Sequence, residues 1–346
     1  MDINKNDVAT RISNLVKEIK INEMECKCYK EDCKCDSKPI QSHSIQNNRI
    51  LTQIADNGML YSFQPSMDAT KFELKPEEIG RKKASTFPGF CGYHDSSLFS
   101  PIENKLYEIG NKEQEFLFAY RIHAREFYTK YFAKASAEYM LKIIDDPVLR
   151  IQKLNWSESM PENERVYFKA YMVSYLEGIN NSFSSMISLR IAMNQSLEKK
   201  CFNRIKTLSL TFNKNCLITA ASAFIPEFDL NNKRICDLYN FNSHLRVLSL
   251  FVFPQNDNTH VLLSCYHKDK RVFEEIFNQI SMLNQNQQEQ LITNLILNFC
   301  ENTFIKPSYW NSFTEEDKIN MIKLFNNNIH SSNTLLYDYQ PVSLFI

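Results

Sequence analysis

The chain lacks the features that mark the common nucleotide-binding and hydrolase folds. It has six glycines in 346 residues, and none of them forms the glycine-rich cluster that cradles phosphate in P-loop or dinucleotide-binding proteins. A Gly-x-Ser-x-Gly nucleophile motif and a His-Glu-x-x-His metal motif are also missing. These absences exclude the corresponding classes of active site from the sequence prediction.

Net charge and long apolar runs are absent too. Forty basic side chains balance forty acidic ones, which argues against bulk electrostatic coating of nucleic acid but leaves room for a local basic patch. No apolar run reaches 18 residues, and the first 20 residues are amphipathic rather than a signal-peptide core.

Half of the ten cysteines stand singly among apolar neighbours: Cys201, Cys216, Cys236, Cys265 and Cys300. Buried free thiols of this kind are typical of a reducing compartment, so we predict a cytoplasmic protein without a membrane span.

A dense group of cysteines near the amino terminus is the most informative feature that the chain does contain. Four lie within ten residues: Cys26, Cys28, Cys33 and Cys35. A second pair, Cys91 and His94, follows in Phe90-Cys91-Gly92-Tyr93-His94-Asp95, directly before the helix-like stretch Ser96–Glu103. A treble-clef zinc site takes two ligands from a knuckle and two from the start of a helix, and thiolates and imidazole are the ligands zinc prefers.

The spacing of the cysteines indicates which of them bind. Cys28 and Cys33 have four residues between them, a usual knuckle gap, whereas Cys26/Cys28 and Cys33/Cys35 are too close to chelate as pairs. We therefore predict structural Zn²⁺ bound by the following residues: Cys28, Cys33, Cys91 and His94. Cys26 and Cys35 are then neighbours, spare ligands or part of a second site. Reduced cysteines in a polar loop are the alternative.

Two long stretches with apolar residues at helical spacing follow the cysteine region. They cover Lys112–Asp146 and Glu162–Lys200, and helices of this length joined by a loop predict an antiparallel hairpin. Basic residues of the first helix interleave with several tyrosines: Tyr120, Tyr128, Tyr131 and Tyr139. This pattern fits a surface that follows a nucleic-acid strand or, alternatively, a core face with a charged rim.

The last third of the chain predicts a sheet followed by helices. Four apolar, β-branched and aromatic runs indicate a mostly antiparallel sheet: Ile205–Phe212, Cys216–Phe224, Leu245–Phe253 and His260–Tyr266. Three helices follow: Arg271–Leu283, Gln287–Glu301 and Thr314–Asn327. The predicted fold class is therefore α+β. We expect residues 1–108 to form a treble-clef zinc domain, 109–202 a long helical hairpin, and 203–346 an antiparallel sheet with helices.

A resemblance to a known family rests on three segments. They are Lys38-Pro39-Ile40-Gln41-Ser42-His43-Ser44-Ile45-Gln46, Ala84-Ser85-Thr86-Phe87-Pro88-Gly89-Phe90-Cys91-Gly92-Tyr93-His94-Asp95 and Phe99-Ser100-Pro101-Ile102-Glu103. Together with the cysteine pair they resemble the HNH, or ββα-metal, treble-clef endonucleases, and more closely a group of bacterial proteins that carry this zinc-finger variant. The resemblance covers about residues 26–103, under a third of the chain.

The resemblance implies catalytic roles for two residues. In that family the histidine after the knuckle is the general base, and a divalent ion neutralises the charge on the phosphodiester. By position His43 is implied as the base and Asp95 as a metal ligand, with Mg²⁺ or another divalent ion catalytic. Ser42 stands where the family frequently has an aspartate, and Phe99 stands where it often has a further ligand. The zinc half of the motif is better kept than the catalytic half.

Two functions follow from this sequence. The first is a divergent HNH-like endonuclease that hydrolyses DNA, in the bacterial defence setting that the resemblance implies. The second is a non-catalytic, zinc-stabilised module that binds nucleic acid or protein. In that case His43 is a zinc ligand or a hydrogen-bonded structural residue, and Asp95 is a residue favoured at a helix N-terminus. The hairpin and the carboxy-terminal segment are the predicted contact regions for a second copy or a protein partner, and no membrane contact is expected.

Overall fold

A computed structural model of the protein describes residues 14–19, 27–30, 32, 35, 38–67, 72–154, 162–238, 240, 243–330, 335–338, 340 and 342–345. In these ranges the chain is a mixture of helices and antiparallel sheet, which confirms the predicted fold class. Among the described residues, no helix combines the length and the hydropathy that a membrane span requires.

The strands form two antiparallel sheets. Their bounds are β1 (Ile40–His43), β2 (Met59–Met67), β3 (Phe72–Gly80), β4 (Thr86–Phe90), β5 (Ile205–Phe212), β6 (Ile218–Phe224), β7 (Leu248–Gln255), β8 (Asn258–Tyr266) and β9 (Thr303–Ile305). Strands β1 and β4 pair with each other, and the other seven form one sheet in the order β3-β2-β9-β6-β7-β8-β5.

Helices cover both faces of the larger sheet. Their bounds are α1 (Gly92–Glu103), α2 (Lys112–Asp145), α3 (Glu162–Glu198), α4 (Lys270–Ser281), α5 (Gln285–Phe299), α6 (Pro307–Ser312) and α7 (Glu315–His330). Strand β7 is buried along its whole length because Leu248 and Leu250 face a core shared with α4, α5 and α7, whereas Phe251 and Phe253 face a core shared with α2.

A small unit of β1, β4 and α1, here called the ββα unit, packs on the α2 side of the molecule. The ring centroids of Phe90 on β4 and Phe99 on α1 are 4.9 Å apart, and the ring of Tyr120 on α2 lies 5.9 Å from Phe90. All three rings are fully buried. Along the chain, the cysteine segment, the strand pair and the helix follow one another in the order of a treble clef. The aromatic contacts anchor the ββα unit to α2.

Helices α2 and α3 form the predicted antiparallel hairpin. Asn111 caps α2 by accepting a hydrogen bond from the backbone N–H of Gln114, and Asp145 is the last residue of the helix. Ring contacts join the two helices along the hairpin, with the Phe127 and Phe183 centroids 5.0 Å apart. This hairpin also supports the knuckle, as described below.

The sequence prediction missed β2, β3 and β9. Strands β2 and β3 pair over their whole length and join the larger sheet through β9, so the sheet also includes residues from the amino-terminal third of the chain. Pro65 in β2, Pro76 in β3 and the charged residues of β3 obscure the strand pattern. Such residues are tolerated because β3 is an edge strand and Pro65 lies beyond the two residues of β2 that pair with β9. Strand β9 has only three residues, and its pairing with β2 and β6 defines it.

Candidate metal centre and the neighbouring histidine site

Four ligand atoms converge at the start of α1. Nδ1 of His94 lies 3.4 Å from Sγ of Cys28, 3.5 Å from Sγ of Cys35 and 3.2 Å from Sγ of Cys91. All four atoms lie within 4.8 Å of one another. Tetrahedral zinc with bonds of about 2.3 Å to sulfur and about 2.0 Å to nitrogen places those atoms about 3.5 Å apart. The Cys3His cluster could therefore hold a metal ion such as zinc.

A carboxylate completes the surroundings of His94. Oδ1 of Asp32 lies 3.1 Å from Nε2 of His94, and the imidazole is buried. A proton on Nε2 that is donated to this carboxylate leaves Nδ1 free to bind a metal, which is the arrangement that fixes the tautomer and raises ligand basicity in zinc proteins. Asp32 therefore orients His94 for metal binding.

Helix α3 fixes the backbone of the segment that carries Cys28, here called the knuckle. Nε of Arg190 donates to the carbonyl of Tyr29 at 2.7 Å, and its terminal nitrogen donates to the carbonyl of Cys28 at 3.1 Å. The Asn194 amide donates to the carbonyls of Tyr29 and Lys30 at 3.3 and 3.2 Å. Two side chains of one helix thus satisfy three successive carbonyls of a segment that has no regular structure of its own.

The Tyr29 side chain anchors the knuckle from the other side. It is buried, and its ring makes edge contacts with Phe90, Tyr120 and Phe127 at centroid distances of 6.0, 5.1 and 5.5 Å. Its backbone N–H donates to the carbonyl of Gly89 at 2.7 Å. The first ligand segment is therefore tied to β4, the strand that leads into the second ligand pair.

The structure brings three of the four sequence-predicted ligands together: Cys28, Cys91 and His94. The fourth position in the cluster is Cys35, which the spacing argument left as a neighbour or spare ligand. Cys33, the ligand preferred from its knuckle gap, and Cys26 lie outside the described residues. The six residues between Cys28 and Cys35 include Asp32, whose carbonyl accepts a bond from the N–H of Cys35 at 3.2 Å.

His43 does not belong to the metal cluster. It is the last residue of β1, and its Nδ1 lies 3.0 Å from the carbonyl oxygen of Ala84 and 3.3 Å from Oγ of Ser85. Because a carbonyl only accepts, Nδ1 carries the proton and the lone pair is on Nε2. Burial lowers the pKa of His43; the Ala84 carbonyl opposes this shift and the charge of Arg121 adds to it. The neutral imidazole is therefore favoured at pH 7.

Four buried polar atoms in or beside the ββα unit have no hydrogen-bond partner within the described part of the chain. They are Ser42 Oγ, Gln46 Nε2, Asp95 Oδ1 and Arg121 Nε. Arg121 is buried, and its guanidinium pairs with Glu103 at 2.5 Å and lies 3.9 Å from the centroid of the Phe99 ring. Buried polar atoms without partners are costly, and two of these residues, Asp95 and Arg121, act electrostatically on His43, so this part of the ββα unit is a functional candidate.

Phe99 occupies the helix position where the family resemblance implies a further ligand. Its side chain is fully buried against Phe90 and under the Arg121 guanidinium, so this position contributes packing. Sequence reasoning did not identify Arg121 or Asp32 as site residues. Asp32 had one available signal, its place inside the cysteine group, whereas Arg121 lies in a helix that the sequence separates from the knuckle by almost ninety positions.

The chain was compared with protein families, curated proteins and solved structures. No protein-family model, curated protein or solved structure matches the chain. The metal cluster and the His43 site therefore carry the functional inference.

Proposed function

We propose that the chain is a divergent HNH-like, metal-dependent endonuclease that hydrolyses DNA phosphodiesters, with His43 as the general base. The observation that supports this proposal most is the orientation of His43 by the Ala84 carbonyl, which leaves the lone pair on Nε2. Its lowered pKa keeps that nitrogen ready to accept a proton near neutral pH. Its place in the ββα unit, with the Cys3His cluster holding structural Zn²⁺, agrees with the family that the sequence resembles.

The chemistry assigned to this chain's residues is a water attack on phosphorus. Nε2 of His43 takes a proton from water, and the water oxygen bonds to phosphorus. One ester P–O bond breaks, and the leaving oxygen takes a proton from solvent water. Asp95, through an Oδ1 that has no partner among the described residues, would hold a divalent ion such as Mg²⁺, which would neutralise charge on the phosphodiester. Arg121, close enough to lower the pKa of His43, contributes a further positive charge.

The test is cleavage of supercoiled plasmid DNA with Mg²⁺ or Mn²⁺, together with zinc analysis and circular dichroism. His43→Ala and His43→Gln are expected to lose cleavage by at least the 10²–10⁴-fold that general-base catalysis contributes, roughly, with zinc content and folding kept. Gln41→Ala, at an exposed position of the same strand, is the matched control and should cleave like the wild type. Unchanged cleavage by folded His43→Ala protein would contradict this mechanism.

The pH dependence sharpens the test. Only the neutral imidazole accepts a proton, so the cleavage rate should fall tenfold per pH unit on the acid side of the His43 pKa. Because that pKa lies below 6.5, the fall should begin below pH 6.5. A rate that already falls between pH 8 and 7 would assign the base to another group.

A specific observation also favours a second function, a non-catalytic module that binds nucleic acid or protein. Ser42 and Phe99 replace the two further ligands of the resembled family, and Arg121 is already paired with Glu103. The Arg121 guanidinium is buried and, like Asp95, acts electrostatically on His43, and a fixed positive charge in this region weakens the case for a bound divalent cation. Zinc-bound, folded protein that cleaves neither DNA nor RNA would establish this second function over the first.

A further inference from the structure

A cleft of about 240 Å³ opens beside the knuckle, between α2, α3 and β4. Five aromatic side chains form most of its wall: Tyr29, Phe127, Tyr128, Tyr131 and Phe183. All of these except Tyr29 are half-buried, so parts of their rings border the open space. The volume is below the roughly 300–1,000 Å³ of pockets for drug-sized ligands, which suits a single flat ring system. We call this feature the aromatic cleft.

The aromatic rings are held in place by one another. The Phe127 and Phe183 centroids are 5.0 Å apart, and the Tyr131 ring is nearly parallel to that of Phe183 at 5.9 Å, with an interplanar angle of 13°. These rings come from both helices of the hairpin, so the hairpin fixes their spacing. A preformed aromatic wall binds a flat ring with little loss of side-chain entropy.

The charged residues that line the described part of the aromatic cleft are basic. Lys27 and Arg190 line it, and no aspartate or glutamate does so among the described residues. The Arg190 guanidinium lies 5.2 Å from the Phe127 ring centroid and 5.4 Å from that of Tyr29. Flat aromatic walls with two cations at the side complement a flat ring that carries an anionic group, which is the chemistry of a nucleotide.

The aromatic cleft adjoins β4, the strand that pairs with β1 and His43. Pro88 and Gly89 of β4 line the cleft, while Thr86 of the same strand pairs with His43. The ring of Phe87 between them lies 6.4 Å from that of Tyr128. A nucleic-acid strand with one nucleotide in the cleft would therefore continue along β4 toward the His43 site.

We propose that the aromatic cleft binds one unstacked base of a single-stranded nucleic acid, with the flanking phosphate on Lys27 and Arg190. A base inside a duplex is stacked on both faces, so it enters an aromatic pocket only when it is unstacked. The inference rests on the proposed nuclease function and names the form of substrate that the site recognises. Binding is measurable without cleavage, so the two proposals fail separately.

The experiment is fluorescence anisotropy of labelled dT12 and of a 12-base-pair duplex, with His43→Ala protein and no added divalent ion. Base stacking contributes roughly 1–3 kcal/mol, so Phe183→Ala and Tyr131→Ala should each weaken dT12 binding by about 5–150-fold. Tyr131→Phe keeps the ring and should restore binding. Tyr171→Ala removes an exposed tyrosine of the same hairpin outside the cleft, so it should bind like the parent protein. Lys27→Ala should reduce the slope of log affinity against log salt by about 1.

Three outcomes would overturn the inference. The first is tighter binding of the duplex than of dT12. The second is unchanged dT12 binding by folded Tyr131→Ala and Phe183→Ala proteins, with folding checked by thermal denaturation. The third is equally tight binding of free dTMP, which would make the cleft a mononucleotide site. If the wild type cleaves nothing but dT12 binding depends on the aromatic residues, the cleft proposal stands and the nuclease proposal falls.

Discussion

Two sites meet at the ββα unit and differ in how far their buried polar atoms have hydrogen-bond partners. The metal half is the Cys3His cluster with the residues that contact it, and the His43 half is His43 with Ser42, Asp95 and Arg121. In the metal half, Nε2 of His94 faces Asp32, and Arg190 and Asn194 satisfy the knuckle carbonyls. In the His43 half, Ser42, Asp95 and Arg121 each keep a buried atom without a partner in the described ranges. The two halves meet at the start of α1, where His94 belongs to the metal half and Asp95 to the His43 half.

This difference separates stability from function. Satisfied buried groups add modestly to the free energy of unfolding, whereas each unsatisfied one costs about 1–3 kcal/mol. A folded chain keeps such costs where a ligand or substrate later supplies the partners. We therefore expect substitutions in the metal half to destabilise the protein, and removal of the orphaned Ser42 hydroxyl to leave the free energy of unfolding unchanged or to raise it.

The largest effect should come from removing a metal ligand. Cys91→Ser is expected to reduce bound zinc from about one equivalent to near zero and to lower the free energy of unfolding by several kcal/mol, because metal binding free energy at a structural site is folding free energy. Metal analysis and denaturant unfolding measure both. Cys201→Ser, at a half-exposed cysteine outside the cluster, should change neither. Full zinc content in Cys91→Ser would remove the basis of the metal half.

The next effect concerns the carboxylate behind His94. Asp32→Asn should weaken zinc binding by about 10–100-fold, since outer partners of a ligating histidine typically contribute that much. Asp95→Asn makes the same change beside His94 in sequence but outside the cluster, and it should leave zinc affinity unchanged. Competition with a chromophoric chelator measures both affinities. Equal losses in the two variants would mean that net charge, rather than the contact with His94, sets the affinity.

A smaller effect is expected where β4 passes the knuckle. A Cβ added at Gly89 would lie 2.1 Å from a ring atom of the buried Phe87, so Gly89→Ala should destabilise the fold by about 1–3 kcal/mol through overpacking. Gly92→Ala, at the first residue of α1, meets nothing within 4 Å and should be neutral or stabilising. Urea unfolding compares the two alanine variants directly. An unchanged free energy of unfolding in Gly89→Ala would show that the Phe87 ring or the strand moves aside at little cost.

The smallest effects compare two serines near the end of β1. Ser44 Oγ donates to the Ser85 carbonyl at 3.0 Å and accepts from the Asn302 amide at 3.1 Å, so Ser44→Ala should cost about 1–2 kcal/mol. Ser42 Oγ has no partner in the described ranges, so Ser42→Ala should leave the free energy of unfolding unchanged or raise it slightly. Both are buried, and thermal or urea unfolding gives the difference. Equal losses in the two variants would contradict the interpretation that the Ser42 hydroxyl is buried without a partner.

Local sequence signals predicted most of the elements. The predicted strand Ile205–Phe212 agrees with β5 at both ends, and the two long helices differ from prediction only at their last residues. These elements follow from their own hydrophobic periodicity. Of the interleaved tyrosines on α2, Tyr120 and Tyr139 are buried in cores, as the core-face alternative predicts, while Tyr128 and Tyr131 line the aromatic cleft. Periodicity did not distinguish these two pairs.

The sequence by itself determined that cysteines and a histidine would gather at the start of α1, because ligand chemistry requires sulfur and nitrogen atoms at short spacing. Only the tertiary structure decided which partners surround them. Asp32 reaches His94 through a loop, Arg190 reaches the knuckle across about 160 positions, and Arg121 reaches the His43 site from a separate helix. Single polar residues of this kind leave no periodic signal. Their contacts depend on where the packing of distant apolar faces places the backbone.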